Sequence, residues 1–169
     1  MNKERTCKNC CHDICCVPVI GPAGAGPVKG CNSISVSLVN SRNSMLYPSD
    51  NIVFDTLINK TNNNIEYNFE SGEFAFECPG YYIVFFTINV NPSTLAVDFR
   101  INFTLNDSQV ITAAGAGSNS GTPTSLVTTQ SLINVDNSNS IAKLQYIASD
   151  AILLGDTAVQ GCITIFSIS

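Results

Sequence analysis

The sequence predicts an all-β sandwich or barrel preceded by an extended N-terminal arm. From Cys31 onward, short stretches rich in β-branched and aromatic residues alternate with Asn, Ser, Gly and Pro, the punctuation of short strands joined by turns. No stretch of ten or more residues sustains a 3.6-residue apolar period, so helices should be minor. The arm is set apart by composition: Val17 to Gly30 holds four Gly and three Pro in fourteen positions, which can sustain neither a helix nor a central strand.

Ten strands are expected, at about 31–40, 52–58, 65–69, 73–78, 81–90, 97–105, 108–114, 124–135, 140–148 and 162–168. In the sixth, Phe99, Ile101, Phe103 and Leu105 alternate with Arg100, Asn102 and Thr104, so one face is buried and the other wet. The fifth differs. Tyr81, Ile83 and Phe85 on one side and Tyr82, Val84 and Phe86 on the other are all apolar, and a two-sided apolar strand in an antiparallel sandwich needs a second apolar partner. A subunit interface would supply it.

The chain of 169 residues has room for one ordinary domain and a short appendage. Charged residues are only 12% of it, about half the usual share, so the surface is polar but largely uncharged. Eight basic residues against 13 acidic ones give a formal charge of −5, which argues against nucleic acid or an anionic membrane as partner, since both need a basic patch. No run of about 18 apolar residues is present. The start Met-Asn-Lys-Glu-Arg leads into cysteines rather than an apolar core, so neither a membrane span nor a Sec signal peptide is expected, and synthesis in the cytosol follows.

The only histidine, His12, lies in the N-terminal cysteine cluster, so residues 31–169 offer no imidazole base to a Ser or Cys nucleophile. The acidic residues are scattered, most at predicted strand ends or turns, where solvation accounts for them. No catalytic residue, enzyme activity or cofactor is expected. The glycine-rich segments at 24–30 and 115–121 space their third glycine one residue too far for a dinucleotide fingerprint and join no strand to a helix. They are loops.

The division near Gly30 is sharp. Residues 1–30 hold five of the eight cysteines and four basic residues against Glu4 and Asp13, a local charge of +2, leaving −7 on the other 139 residues. We therefore divide the chain into a Cys-rich connector at 1–16, a linker at 17–30 and a β domain at 31–169. Within the connector, Cys7, Cys10, Cys11, Cys15 and Cys16 are good metal ligands in type. Structural zinc sites, however, normally use two ligand pairs separated by a loop, and adjacent cysteines fit one tetrahedron badly. Neighbouring cysteines also pair poorly with each other. Three readings stay open: disulfides to other subunits after oxidation, which we favour, a metal site before oxidation, or an unpaired reactive tail. Cys31 at the junction and Cys162 at the start of the last strand are the expected acceptors in the body. Each of Cys31, Cys78 and Cys162 can equally be a small buried apolar side chain.

The run Gly72 to Val90, with alternating Phe74 and Phe76, the Pro79-Gly80 turn and the aromatic strand Tyr81–Phe86, resembles the central signature of the C1q/tumour-necrosis-factor superfamily. Phe54 with the polar stretch 59–64, and a last strand ending the chain at 161–169, are similar to the flanking parts of that pattern. The resemblance implies a ten-stranded antiparallel jelly roll over 31–169 that assembles as a homotrimer. Tyr81, Tyr82, Ile83, Phe85 and Phe166 would then lie in the core or at the three-fold contact. Low charge, the collagen-flavoured linker and the cysteine connector together resemble bacterial spore-surface proteins, the endospore appendage fibre subunits more closely than the exosporium hair-nap glycoproteins.

That resemblance implies a structural subunit at the spore surface whose main partner is itself, with an anchoring protein of the spore coat or exosporium as a further expected partner. Trimers would stack head-to-tail through arms locked by disulfides. A body of 139 residues is about 37 Å across, and fourteen extended residues span up to about 46 Å, so the connector can reach a neighbour. Val17, Val19 and Ile20 are the expected docking residues of the arm. The competing expectation is a trimeric recognition module that binds a protein or glycan through its loops.

Overall fold

The computed structural model describes residues 32–39, 45–61, 63–91, 98–116, 125–154 and 159–168. The arm and Cys31 lie outside these residues, and with them the expected divisions at 1–16 and 17–30. Among the described residues every regular element is a strand. In chain order they are β1 (Ser33–Leu38), β2 (Met45–Leu46), β3 (Thr56–Thr61), β4 (Ile65–Asn68), β5 (Glu73–Phe76), β6 (Gly80–Asn91), β7 (Asp98–Leu105), β8 (Ser108–Ala116), β9 (Ser125–Val135), β10 (Ser140–Ile147), β11 (Ile152–Leu154) and β12 (Gly161–Ser167).

They form two antiparallel sheets. One runs β2-β11-β6-β12-β1-β3, with β9 on the other flank of β6, and the other runs β4-β5-β10-β7-β8. Neighbours distant in sequence, such as β1 beside β12 and β10 between β5 and β7, give the crossed connectivity of a jelly roll. Ten longer strands build it, and the short β2 and β11 extend the first sheet past the end of β12.

Period-2 alternation explains the sandwich. Tyr82, Val84, Phe86, Ile88 and Val90 of β6, Phe99, Ile101 and Phe103 of β7, and Ile163 and Ile165 of β12 all point inward and are buried. The core is strongly aromatic: Phe76 packs edge-on to Tyr82 with ring centroids 4.8 Å apart. Each buried tyrosine satisfies its hydroxyl. That of Tyr82 donates to the Cys78 carbonyl at 2.7 Å, and that of Tyr146 to the Asp150 carbonyl at 2.7 Å. Tyr67 accepts from the Phe54 N–H at 2.6 Å, while burial pushes its own hydroxyl up to about 12.

One strand boundary differs from expectation. The segment expected as a strand at 52–58 is an extended crossing followed by β3 at 56–61. Ile52 and Phe54 are buried, and the Ile52 N–H donates to the Leu144 carbonyl at 2.7 Å. Residues 49–52 thus pair briefly with β10, through the Asn51–Gln145 bridge, before Phe54 is buried and the longer ladder with β1 begins at Thr56. The β7–β8 turn is built on Asn106 and Asp107, both at positive φ (49° and 62°), as a tight primed hairpin requires. Asn106 also clasps β10: its N–H donates to the Ile141 carbonyl at 2.7 Å and its Oδ1 accepts the Ile141 N–H at 2.9 Å.

Candidate interaction face

The two sheets show solvent different surfaces. On the first sheet, strand register aligns the outward side chains of β9, β6, β12, β1 and β3 into rows. The first is Leu132, Ile83, Phe166, Ser33 and Thr61. The second is Gln130, Phe85, Thr164, Ser35 and Asn59. The third is Thr128, Thr87, Cys162, Ser37 and Thr56. Tyr81 and Asn134 stand beside the first row. None of these residues carries a charge.

At one corner of this face lies an apolar cluster of Tyr81, Ile83, Phe85, Leu132 and Phe166. Tyr81 is 49% exposed, Phe85 38% and Leu132 55%. The rest is hydroxyl-rich, and those hydroxyls pair within the sheet: Ser35 Oγ with Thr164 Oγ1 at 2.9 Å, Ser33 Oγ with Thr61 Oγ1 at 2.8 Å, Thr87 Oγ1 with Thr128 Oγ1 at 3.0 Å. A polar group already hydrogen-bonded to its neighbour loses less on leaving water than one that is not. The face is therefore cheap to bury.

The second sheet contrasts with it. Its outward residues include Glu66, Glu73, Arg100 and Lys143, the last bonded to Asp107 at 2.8 Å. On its β4–β5 side Glu66, Glu70, Glu73, Phe69, Ala75 and Ile141 line a shallow concavity. This surface is that of an ordinary solvated sheet.

The expected interface-or-core set divides cleanly. Tyr82 is core, while Tyr81, Ile83, Phe85 and Phe166 occupy the outer face. Sequence reasoning missed Leu132, Leu126, Thr87 and Thr164. A signal for the leucines was present: Leu126-Val127 and Leu132-Ile133 are apolar doublets like those of Tyr81–Phe86, with Val127 and Ile133 buried and the leucines outward. Interspersed Thr and Gln hid the pattern.

Of the expected disulfide positions, Cys7, Cys10, Cys11, Cys15, Cys16 and Cys31 lie outside the described residues, as do the docking residues Val17, Val19 and Ile20. Cys162 is a free thiol on the outer face; burial pushes its pKa up, against a lowering hydrogen bond with the Thr87 backbone. Cys78, left open between a buried apolar side chain and a disulfide, is disulfide-bonded, and its partner lies outside the described residues. Among the described residues no group of three or more His, Cys, Asp or Glu side chains is placed to hold a metal ion.

Comparison with known proteins fits this geometry. The family model of the C1q domain matches residues 36–141. No curated protein matches by sequence. Solved structures do match. Murine APRIL superposes with a TM-score of 0.61 at 8% identity, covering 82% of this chain and 99% of that one. The TNF protein Eiger from S. frugiperda gives 0.57 at 11% identity over 82% and 93% of the two chains. The globular domain of zebrafish complement 1qA gives 0.55 at 14% identity over 80% and 93%. At such identities the likeness is one of fold.

Proposed function

The chain belongs to the C1q domain family, and from that premise we propose that it is a structural subunit which trimerises through the outer face of its first sheet and polymerises into a spore-surface fibre. The observation that carries self-association is the charge-free outer face. It spans five strands, gathers exposed Tyr81, Phe85 and Leu132 at one corner and satisfies many of its own hydroxyls, as a surface meant for burial against another copy should.

Polymerisation rests on the N-terminal arm. Three arms leaving one trimer act multivalently, so weak docking of Val17, Val19 and Ile20 becomes firm before disulfides fix it. A head-to-tail contact of this kind does not close and so builds a filament. Cys7, Cys10, Cys11, Cys15 and Cys16 supply the cross-linking thiols, one of these or Cys31 being taken up by the disulfide of Cys78. Cys162, inside the face that the trimer covers, is the weaker acceptor, and Cys31 at the arm junction the stronger. An anchoring protein of the spore coat or exosporium would hold the fibre's base.

Electron microscopy of the purified full chain after oxidation tests this. Fibres that fall apart into trimers on reduction in denaturant are expected; discrete trimers at every concentration would remove the fibre. A recognition module is the second reading, favoured by the concavity beside Phe69 and Ile141. Discrete trimers that bind a glycan or peptide at that concavity would decide for it.

A further inference from the structure

The first sheet ends at β3, which pairs with β1 on one flank and with no other strand among the described residues. Edges of this kind are usually blunted by charge, proline or a bulge in the edge strand. Between Thr56 and Asn59 there is neither charge nor proline, and the one irregularity is a bulge, where the register with β1 shifts between Ser35 and Val36 and leaves Ile58 as the extra residue. The one charge of the strand, Lys60, is turned to Glu66 of β4 at 2.6 Å. Leu57 is 47% exposed and Ile58 59%.

These two exposures decide the shape of an occupant. At the bulge Leu57 and Ile58 together oppose the single residue Val36, and both stand exposed beside the open flank. An extended segment laid alongside β3 covers both and pairs the open backbone flank as well.

We propose that this edge receives residues Val17–Ile20 of another copy as an added strand, which makes β3 the docking site of the arm. The inference rests on the fibre reading above. Val17-Pro18-Val19-Ile20 is apolar on both of its faces in extended form, so it can cover the exposed Leu57 and Ile58. Pro18 is tolerated because an added outermost strand turns one flank to solvent, where a missing N–H costs nothing. Charge agrees, since residues 1–30 carry +2 and the remainder −7. Placement also agrees. The 31 residues before Asn32 leave the body where Ser33 pairs with Thr61, at the end of β3, and Pro22 and Pro27 favour an arm that continues outward over one that doubles back onto its own edge.

The test uses the full chain in three forms: unaltered, Leu57→Asp with Ile58→Asp, and Val19→Asp with Ile20→Asp. Both variants should sediment as the same trimer as the unaltered chain and lose fibres. In unaltered fibres the amides of residues 57–60 should exchange with deuterium slower by about tenfold or more than in the Val19/Ile20 variant. Should the β3 variant fail to fold, this exchange comparison stands alone. Fibres that persist in the β3 variant while the arm variant loses them overturn the edge and leave the arm in place. Fibres that persist in the arm variant overturn arm docking itself. Slow exchange at 57–60 in dilute, unassembled trimers would mean that each arm covers its own edge, and also overturns the proposal.

Discussion

Replacing Phe85 with Asp places a carboxylate in the apolar corner of the charge-free face. Phe85 stands between Gln130 and Thr164 in its row, so no cation is near to receive the charge. Burying a whole Phe side chain contributes about 3 kcal/mol at most, and covering the 38% that remains exposed contributes about 1 kcal/mol per copy. An unpaired carboxylate trapped in a contact costs about 3 kcal/mol more. Three copies triple the loss to about 12 kcal/mol per trimer, which at about 1.4 kcal/mol per decade shifts the monomer–trimer equilibrium by about nine powers of ten.

The fold should survive, because the inward neighbours Val84 and Phe86 are untouched and fully buried. Sedimentation at micromolar concentration should find Phe85→Asp monomeric with an unchanged β-sheet circular dichroism spectrum. Ala114→Asp, exposed on the other sheet, should sediment like the unaltered protein. A trimeric Phe85→Asp chain would refute the assignment of this face.

Three more outcomes follow from the geometry. Asn106→Ala removes the Oδ1 acceptor of the Ile141 N–H and forces alanine to positive φ; the cost of about 2 kcal/mol should lower Tm by about 4–8 °C, and Asn106→Gly by less. Tyr67, Tyr82 and Tyr146 all have raised pKa values, chiefly from burial. In the unfolded chain they ionise near 10, so stability is intact below that pH and falls as it rises toward about 12, the value reached by Tyr67; denaturant midpoints measured from pH 8 to 12 should trace this decline. The raised pKa of Cys162 should make it react with a disulfide reagent more slowly than a free thiol at pH 8, with the rate climbing at higher pH, and markedly faster in Phe85→Asp, where the face is bare.

The strands most legible in the sequence are those whose two faces have different fates. In β7 and β12 alternation alone sorts core from surface, because one neighbour is the sandwich interior and the other is water or a polar row. The doubly apolar β6 was legible as something more, since solvent gives no reason for Tyr81, Ile83 and Phe85 opposite Tyr82, Val84 and Phe86. Its neighbour β9 was not, although it bears the same signature. Its face is half threonine and glutamine, and only register reveals that these complete a hydrogen-bonded surface with β6. The short β2 and β11 escaped because two or three residues hold no period. Segment 52–55 escaped because burial between sheets and pairing within a sheet select the same residue types. The disulfide at Cys78 lay beyond reach for another reason: connectivity is a fact of three-dimensional proximity, and spacing along the chain does not encode it.

The hydroxyl ladders of the outer face bear on where such a contact can operate. Ion pairs across an interface weaken as salt shortens the Debye length and are lost as carboxylates take up protons. A contact made from Ser33, Ser35, Thr87, Thr128 and Thr164 with an aromatic corner offers nothing for ions to screen and nothing for moderate acid to neutralise. Its strength is that of area and fit, which brine does not screen away and excluded salts only reinforce.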